Sequence, residues 1–404
     1  MILHKLFISF FKIRNIIILG FILRIFIVIC YGNFEENYYW EYGEIAKNII
    51  HGNGYSLFYI EDSHLEYHFK ENAQPSKSAD MPPGYVYFLL PFMLINNIII
   101  RNALIFLIQA VLSSITIYLV YIFTEKMFGF KTALMSAFIY AVLPEFLYTV
   151  LSYSPTVLYH LFILLLLIRC IDINVKNKSY IQLAILIAVL IYLRSEFVLY
   201  FIILVVLFLS RKKLKFAIKV FIMVVIFILP WSIRNYLAFG EVVPISTSFG
   251  LNFYRGNNQY GIGAWTNNDI EKEVNSLSKD NLEIEMSKYY LKDAISFIEK
   301  NPYVVIKNLF LKIFYFWFYY PMDKRTLNLF YLIPSLIVLI FFVFGIMKSF
   351  NWKRYDIIYL FFIFSSIIAL IFFPMVRYQT MMKIAMVPFC SFGMYKFYEL
   401  NLRK

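Results

Sequence analysis

PWSIRNYLAFGEVVPISTSFGLNFYRGNN, from Pro230 to Asn258, begins in a long apolar run and ends in polar sequence, with Arg234, Asn235, Arg255, Asn257 and Asn258 spaced along it. Cations and amides grouped where an apolar helix gives way to water suit an anionic ligand. The forked guanidinium of arginine matches phosphate oxygens, and a site at headgroup level lets an attached tail stay in the bilayer. Read alone, the stretch also fits a simple aromatic and cationic anchor at a helix end.

The rest of the chain puts that boundary in a membrane. Of 404 residues, 61% are hydrophobic and 20% aromatic, and the mean hydropathy is +0.68. No soluble domain of this length has such a composition, so the chain is an all-α polytopic membrane protein. The net charge of +13 does not indicate nucleic acid as a partner, because the basic residues stand in short clusters between apolar runs, as positive-inside signals do. Cys30, Cys170 and Cys390 are far apart, without metal-ligand or pairing spacing, and read as packing residues. The first apolar run continues to Tyr31 without a small-residue cleavage site and reads as a signal anchor. Richness in Ile, Lys, Asn and Phe points to an AT-rich bacterial source, which makes the membrane a bacterial inner one.

Lys5, Lys12 and Arg14 place the amino terminus in the cytoplasm. About ten spans then alternate, with both termini inside and residues 1–404 forming a single membrane domain. After the first run they are Asn102 to Thr124, Ala133 to Ser152, Pro155 to Ile168, Tyr180 to Leu193, Val198 to Leu209, Phe221 to Trp231, Leu329 to Ile346, Ile357 to Phe373 and Met381 to Tyr398. Cytoplasmic turns carry Lys126 and Lys131, then Arg169, Lys176 and Lys178, then Lys348, Lys353 and Arg354, with Arg403 and Lys404 at the end. Arg211, Lys212, Lys213, Lys215 and Lys219 form the strongest such signal. Two large outer loops result, 32–100 and 232–320. The apolar run Pro83 to Ile98 makes roughly 24 Å of helix against ~30 Å of hydrocarbon, so it reads as interfacial or re-entrant. Tyr303 to Tyr320 reads as an amphipathic helix, its Lys307 and Lys312 arguing against a span. No internal repeat is visible, which speaks against an inverted-repeat transporter.

On this topology Glu41, Asp80, Glu145, Arg194, Glu196, Arg234, Arg255 and Arg377 share one side. Ionisable groups at membrane depth are costly and mark ligand sites, so their convergence suggests chemistry on an anionic lipid. WEYGEIAKNIIHGNGYS, Trp40 to Ser56, presents Glu41, Ile45 and Asn48 on one helical face before Gly52-Asn53-Gly54 breaks it. For each candidate a plainer role exists: Glu41 as a solvated residue of an amphipathic helix, Asp80 as the cap of the helix after Pro82-Pro83, Arg194 snorkelling beside Glu196. Arg377 is a case similar to Arg194. Arg24, inside the first span, must face protein as a packing group or a site member. His51, His64, His68 and His160 show no metal-ligand spacing.

Taken in order, Trp40 to Ser56, Met81-Pro82-Pro83-Gly84-Tyr85, the Arg194 turn, Pro230 to Asn258, Ala294 to Pro302 with Trp317, and Arg377-Tyr378 resemble the GT-C integral membrane glycosyltransferases. The similar branch holds the dolichyl-phosphate-mannose protein mannosyltransferases and the lipid A aminoarabinose transferase. The resemblance implies a GT-C-type helix bundle, a polyprenyl-phosphate-linked sugar donor, a site on the outer face and an essential acid in the first outer loop. Many relatives carry an Asp, a Tyr four residues later and a small residue four later again. Here Tyr42 and Ala46 match the later two, and Tyr38 stands in place of the Asp. Glu41 is then the candidate acid and Glu36 the reserve. A second departure is YSPT with Pro155, where relatives often show an acid; Glu145 could substitute if its helix ends early.

The implied mechanism has Glu41 taking a proton from the acceptor hydroxyl as the lipid phosphate departs. Arg194, Arg234, Arg255 and Arg377 bind that phosphate, and Tyr42, Asn235, Asn257 and Asn258 line the substrate. Because the leaving group is a lipid monophosphate, clustered arginines could suffice without a metal, though Asp80 with Glu41 could hold a divalent metal ion. The acceptor, whether glycan, lipid or protein, is not specified. The competing readings are a lipid-linked oligosaccharide flippase or other transporter, a surface polysaccharide polymerase, and a catalytically inactive relative.

Overall fold

The computed structural model describes residues 12–61, 64–171, 179–265 and 281–402. Lys5, Lys176, Lys178, Arg403 and Lys404, used above as topology signals, lie outside them.

Every apolar run assigned to a span is helical. Among the described residues, five helices are long and apolar enough to cross a membrane: α1 (Ile13–Tyr31), α4 (Ile98–Phe128), α10 (Leu214–Phe239), α14 (Leu329–Ser349) and α15 (Trp352–Ile371). Three more are apolar but shorter, α7 (Thr156–Ile171), α8 (Ser179–Leu193) and α9 (Phe197–Ser210). The last helix, α16 (Val376–Leu402), crosses the centre of the bundle, and its residues from Met381 to Cys390 are almost all buried. The chain is an integral membrane protein built as an α-helical bundle. Helices α14 and α16 touch backbone to backbone: a Cβ on Gly345 would stand 1.9 Å from the Phe389 carbonyl oxygen, and one on Gly393 2.2 Å from that of Phe341.

Two predicted spans differ from their expected form. The run Ala133 to Ser152 is a broken pair, α5 (Phe130–Val142) followed at a 63° bend by the residues Pro144–Leu151, which begin with α6 (Pro144–Leu147). The cause is Pro144, which drives Leu143 into extended backbone at φ −65° and ψ 123° and ends α5 there. The run predicted to stop at Trp231 continues as α10 to Phe239. Pro230 is accommodated inside it, Trp231, Asn235 and Phe239 keep one buried face at four-residue spacing, and Gly240 at φ +69° supplies the left-handed cap. Arg234 and Asn235 therefore sit on a helix, not in a loop.

Two buried charged groups inside the bundle find partners. Arg24 is fully buried in α1; its Nε donates to Ser113 Oγ at 2.7 Å and its Nη1 to the Gly20 carbonyl at 2.9 Å. It is a packing group here. Glu145, in α6, pairs with Lys383 of α16 at 2.7 Å, both nearly sealed from solvent, and Ser335 also accepts from the lysine. A buried pair broken on one side leaves an uncompensated charge, whereas removing both charges restores an apolar contact. Lys383→Met alone is thus expected to cost about 3–5 kcal/mol. Lys383→Met with Glu145→Gln should recover most of that loss, as thermal unfolding in detergent would register.

Between α1 and α4 the chain forms α2 (Trp40–Ile50), a two-stranded ribbon of β1 (Tyr59–Glu61) and β2 (His64–Glu66), and α3 (Pro83–Met93). The ribbon is an addition to the predicted all-helical chain, and α3 ends at Met93, five residues short of the predicted run. Between α10 and α14 lie α11 (Phe249–Gly256), α12 (Leu282–Lys300) and α13 (Pro302–Trp317). These two intervening segments meet. Arg234 donates to the Ser78 carbonyl at 2.6 Å and the Tyr55 carbonyl at 2.7 Å, and the Thr247 amide donates to the Ala79 carbonyl at 2.9 Å.

Candidate functional site

The site forms where the first intervening segment meets the turns at the ends of α8, α11, α15 and α16. On the acid side, Glu41 is the second residue of α2, half-buried, with no hydrogen bond to its carboxylate among the described residues. The residue before it, Trp40, has φ +56°, a left-handed conformation that costs a non-glycine residue about 1–2 kcal/mol. Such local strain fixes the way α2 starts. Tyr42 is buried against Tyr85, ring centroids 5.3 Å apart, and feels the charges of Arg194, Arg377, Glu196 and Glu41. Burial pushes its phenol up to about 12.

Asp80 is 8% exposed, and its carboxylate receives no hydrogen bond or ion pair among the described residues. Its pKa is held well above the usual carboxylate range, first by burial, then by the nearby charges of Glu283 and Glu41, with Arg255 opposing. Glu283, at the start of α12, is also buried; its Oε1 has no hydrogen-bond partner, but its Oε2 is supplied with donors. Its Oε2 accepts from the Ala79 amide at 2.8 Å and the Thr247 hydroxyl at 2.6 Å.

On the cationic side, Arg194 follows α8 directly. Its Nε donates to Glu196 Oε1 at 2.6 Å, and its guanidinium lies 4.6 Å from the Tyr378 ring centroid. Arg377, in the first turn of α16, lies 5.4 Å from the same ring, and its Nε is buried with no hydrogen-bond partner. A cavity of about 410 Å³ opens beside Arg194, Glu196 and Tyr378. Its further walls are largely apolar, among them Leu199, Phe249, Ile368 and Phe372. Arg255 is on α11, with its guanidinium 5.8 Å from the Trp265 ring centroid and Nη1 near Asn252, itself a lining residue.

The structure thus brings Tyr42 within electrostatic reach of Arg194, Arg377 and Glu41, and Asp80 within reach of Glu41 and Arg255. The other four predicted residues act as fasteners. Arg234 spends two donors on the Ser78 and Tyr55 carbonyls and stacks on Tyr55 and Trp231. Asn235 donates to the Val243 carbonyl, Asn257 to those of Phe253 and Ile371, and Asn258 to that of Tyr254. Among the described residues no three His, Cys, Asp or Glu side chains gather as metal ligands.

Sequence reading missed Glu283 and the role of Lys312. The lysine is fully buried and donates to Asn257 Oδ1 at 2.9 Å and the Leu370 carbonyl at 3.0 Å, and burial lowers its pKa to about 7. A signal for Glu283 does exist: Glu283, Met286, Tyr290 and Ala294 fall on one buried helical face. An acid on that face has to be satisfied by protein.

Residues 80–233, less than half the chain, match the family model described as dolichyl-phosphate-mannose-protein mannosyltransferase. No curated protein matches the chain by sequence. Among solved structures, the apo oligosaccharyltransferase of Archaeoglobus fulgidus is similar at 13% identity and TM-score 0.56, over 97% of this chain and 51% of that one. The same archaeal enzyme with an inhibitory peptide and a dolichol-phosphate gives the same four values. Tethered to an acceptor peptide containing the NVT sequon, it matches at 11% identity and TM-score 0.57, over 98% and 51%. The chain spans about half the length of these structures, and at such identities the likeness is one of fold. In that fold, and in the family segment holding Asp80 and Arg194, the chain is similar to the GT-C membrane glycosyltransferases.

Proposed function

We propose that this GT-C-type membrane protein is a glycosyltransferase that moves a sugar from a polyprenyl-phosphate donor to an acceptor at the outer face of a bacterial inner membrane. The observation that carries the reading is the largely apolar cavity lined by Arg194 and by Tyr378, against which Arg377 also lies. Apolar walls suit a lipid tail, and guanidinium groups at one end suit the phosphate that must leave with it. The half-buried carboxylate of Glu41, one residue from Tyr42, supplies the base on the sugar side.

In this reading the acceptor hydroxyl attacks the anomeric carbon. Its proton passes to Glu41, and the bond to the phosphate oxygen breaks as Arg194, Arg377 and Arg255 take up the growing negative charge. Tyr42 packs against Tyr85 beside Glu41. Arg234, Asn235, Asn257 and Asn258 hold the segments that carry these groups, so their replacement should act through assembly of the site. A transporter would place its charges along a route between both faces, whereas Glu41, Arg194 and Arg377 stand at helix ends and turns.

The test is reconstitution in liposomes with a set of polyprenyl-monophosphate sugars, following donor consumption. Donor-dependent turnover with at least one sugar is expected. Turnover only with a diphosphate-linked oligosaccharide would favour the polymerase reading, and lipid translocation without consumption the transporter.

A further inference from the structure

Two buried carboxyls from different intervening segments lie together, and the donors are divided unequally between them. Glu283 Oε2 takes both the Ala79 amide and the Thr247 hydroxyl. Asp80, one residue beyond Ala79 and 92% removed from solvent, takes none among the described residues. Two carboxylates in one dry pocket cannot both stay ionised cheaply, and the charge settles where donors meet it. With two donors on Oε2, and despite a buried Oε1 that has no partner, Glu283 is the better placed of the two to carry the charge. That leaves the proton to Asp80, which then becomes a hydrogen-bond donor.

We propose that Asp80 serves as a protonated donor to an oxygen of the bound lipid phosphate, and that Glu283 is the positioning residue that keeps it protonated. The inference rests on the polyprenyl-phosphate reading of the site. A neutral carboxyl can approach a phosphate where a carboxylate would repel it, and the charge of Arg255 on α11, which reaches Asp80, can act on the same anion. The charged groups around the pair are Glu41 of α2, Arg255 of α11 and Glu283 of α12 for Asp80. For Glu283 they are Arg234 of α10 and the Tyr55 hydroxyl. Both acids are displaced upward by burial, Asp80 well above the carboxylate range and Glu283 to about 7.

The sign of the Glu283→Gln effect follows. Deleting the neighbouring negative charge makes ionisation of Asp80 easier, so its proton leaves at lower pH. In the purified full chain at neutral pH, infrared spectroscopy should show a protonated carboxyl stretch that disappears in Asp80→Asn and titrates at lower pH in Glu283→Gln. Adding undecaprenyl monophosphate should move that band in the wild type. In transfer assays Asp80→Asn, which keeps a neutral donor, should retain most activity, whereas Asp80→Ala should lose about 10- to 100-fold. The alkaline limb of the pH profile should shift to lower pH in Glu283→Gln. A spectrum unchanged by Asp80→Asn, or Asp80→Asn as inactive as Asp80→Ala in folded protein, overturns the proposal. If undecaprenyl monophosphate fails to bind while the band is present, the donor reading fails and the proton assignment stands.

Discussion

Arg194→Ala is expected to lower turnover on the order of 100-fold or more, the usual cost of removing one preorganised group that meets charge developing in a transition state. The residue is well prepared for that task. It is nearly buried, its Nε is fixed by Glu196, and its guanidinium plane rests on Tyr378, so little reorientation is required when the phosphate leaves. Lysine should rescue poorly, because a single ammonium can neither bridge two phosphate oxygens nor stack on the ring in the same way. The loss should fall mainly on kcat. If it fell only on KM, Arg194 would bind ground state and transition state alike, and if thermal stability fell in proportion to activity its pairing with Glu196 would be structural. Glu196→Gln separates these cases. It frees the guanidinium without deleting it and should cost far less than Arg194→Ala.

The contrast between Arg194 and Arg234 shows what was legible in the sequence. Both read as cations at a helix end, and residue type alone could not separate them. Arg194 follows its helix and lines a cavity, whereas Arg234 is inside a helix that runs on to Gly240; it lines a different cavity, and two loop carbonyls take its donors. Those carbonyls belong to Tyr55 and Ser78, far away in the chain, and no local pattern announces them. The helices themselves were legible because 15 to 20 apolar residues in a row have few alternatives in a membrane. The break at Leu143 was equally open to reading, since a residue before proline avoids helical backbone. The continuation through Pro230 was not, because a proline inside a helix survives only where tertiary packing compensates for it.

Acids were harder to read than helices. Glu41 stood beside a motif position, and Asp80 before a double proline, so both could be marked. Glu283 had no motif, and its partners Ala79 and Thr247 come from two other segments. Buried carboxylates acquire their chemistry from neighbours supplied by the fold.

Glu41→Gln carries the largest expected effect, a loss of about 100- to 10,000-fold in transfer, because the amide keeps the size and polarity of the side chain and removes only its capacity to take a proton. The carboxylate is free for that work: half-buried at the start of α2, with no hydrogen bond among the described residues, on a helix whose first residue is locked at positive φ. Binding of undecaprenyl monophosphate should be nearly unchanged in the variant, since the arginines that face the phosphate are on other elements. Activity should fall while affinity stays, and a more nucleophilic acceptor, which needs less help from a base, should narrow the gap. Full activity in Glu41→Gln would pass the role to Glu36, whose carboxylate accepts the Tyr38 amide at 2.8 Å and a bond from Asn33 at 3.2 Å. Those two bonds make Glu36 a turn-forming residue, and Glu36→Gln should therefore leave the chemical step within a small factor of wild type.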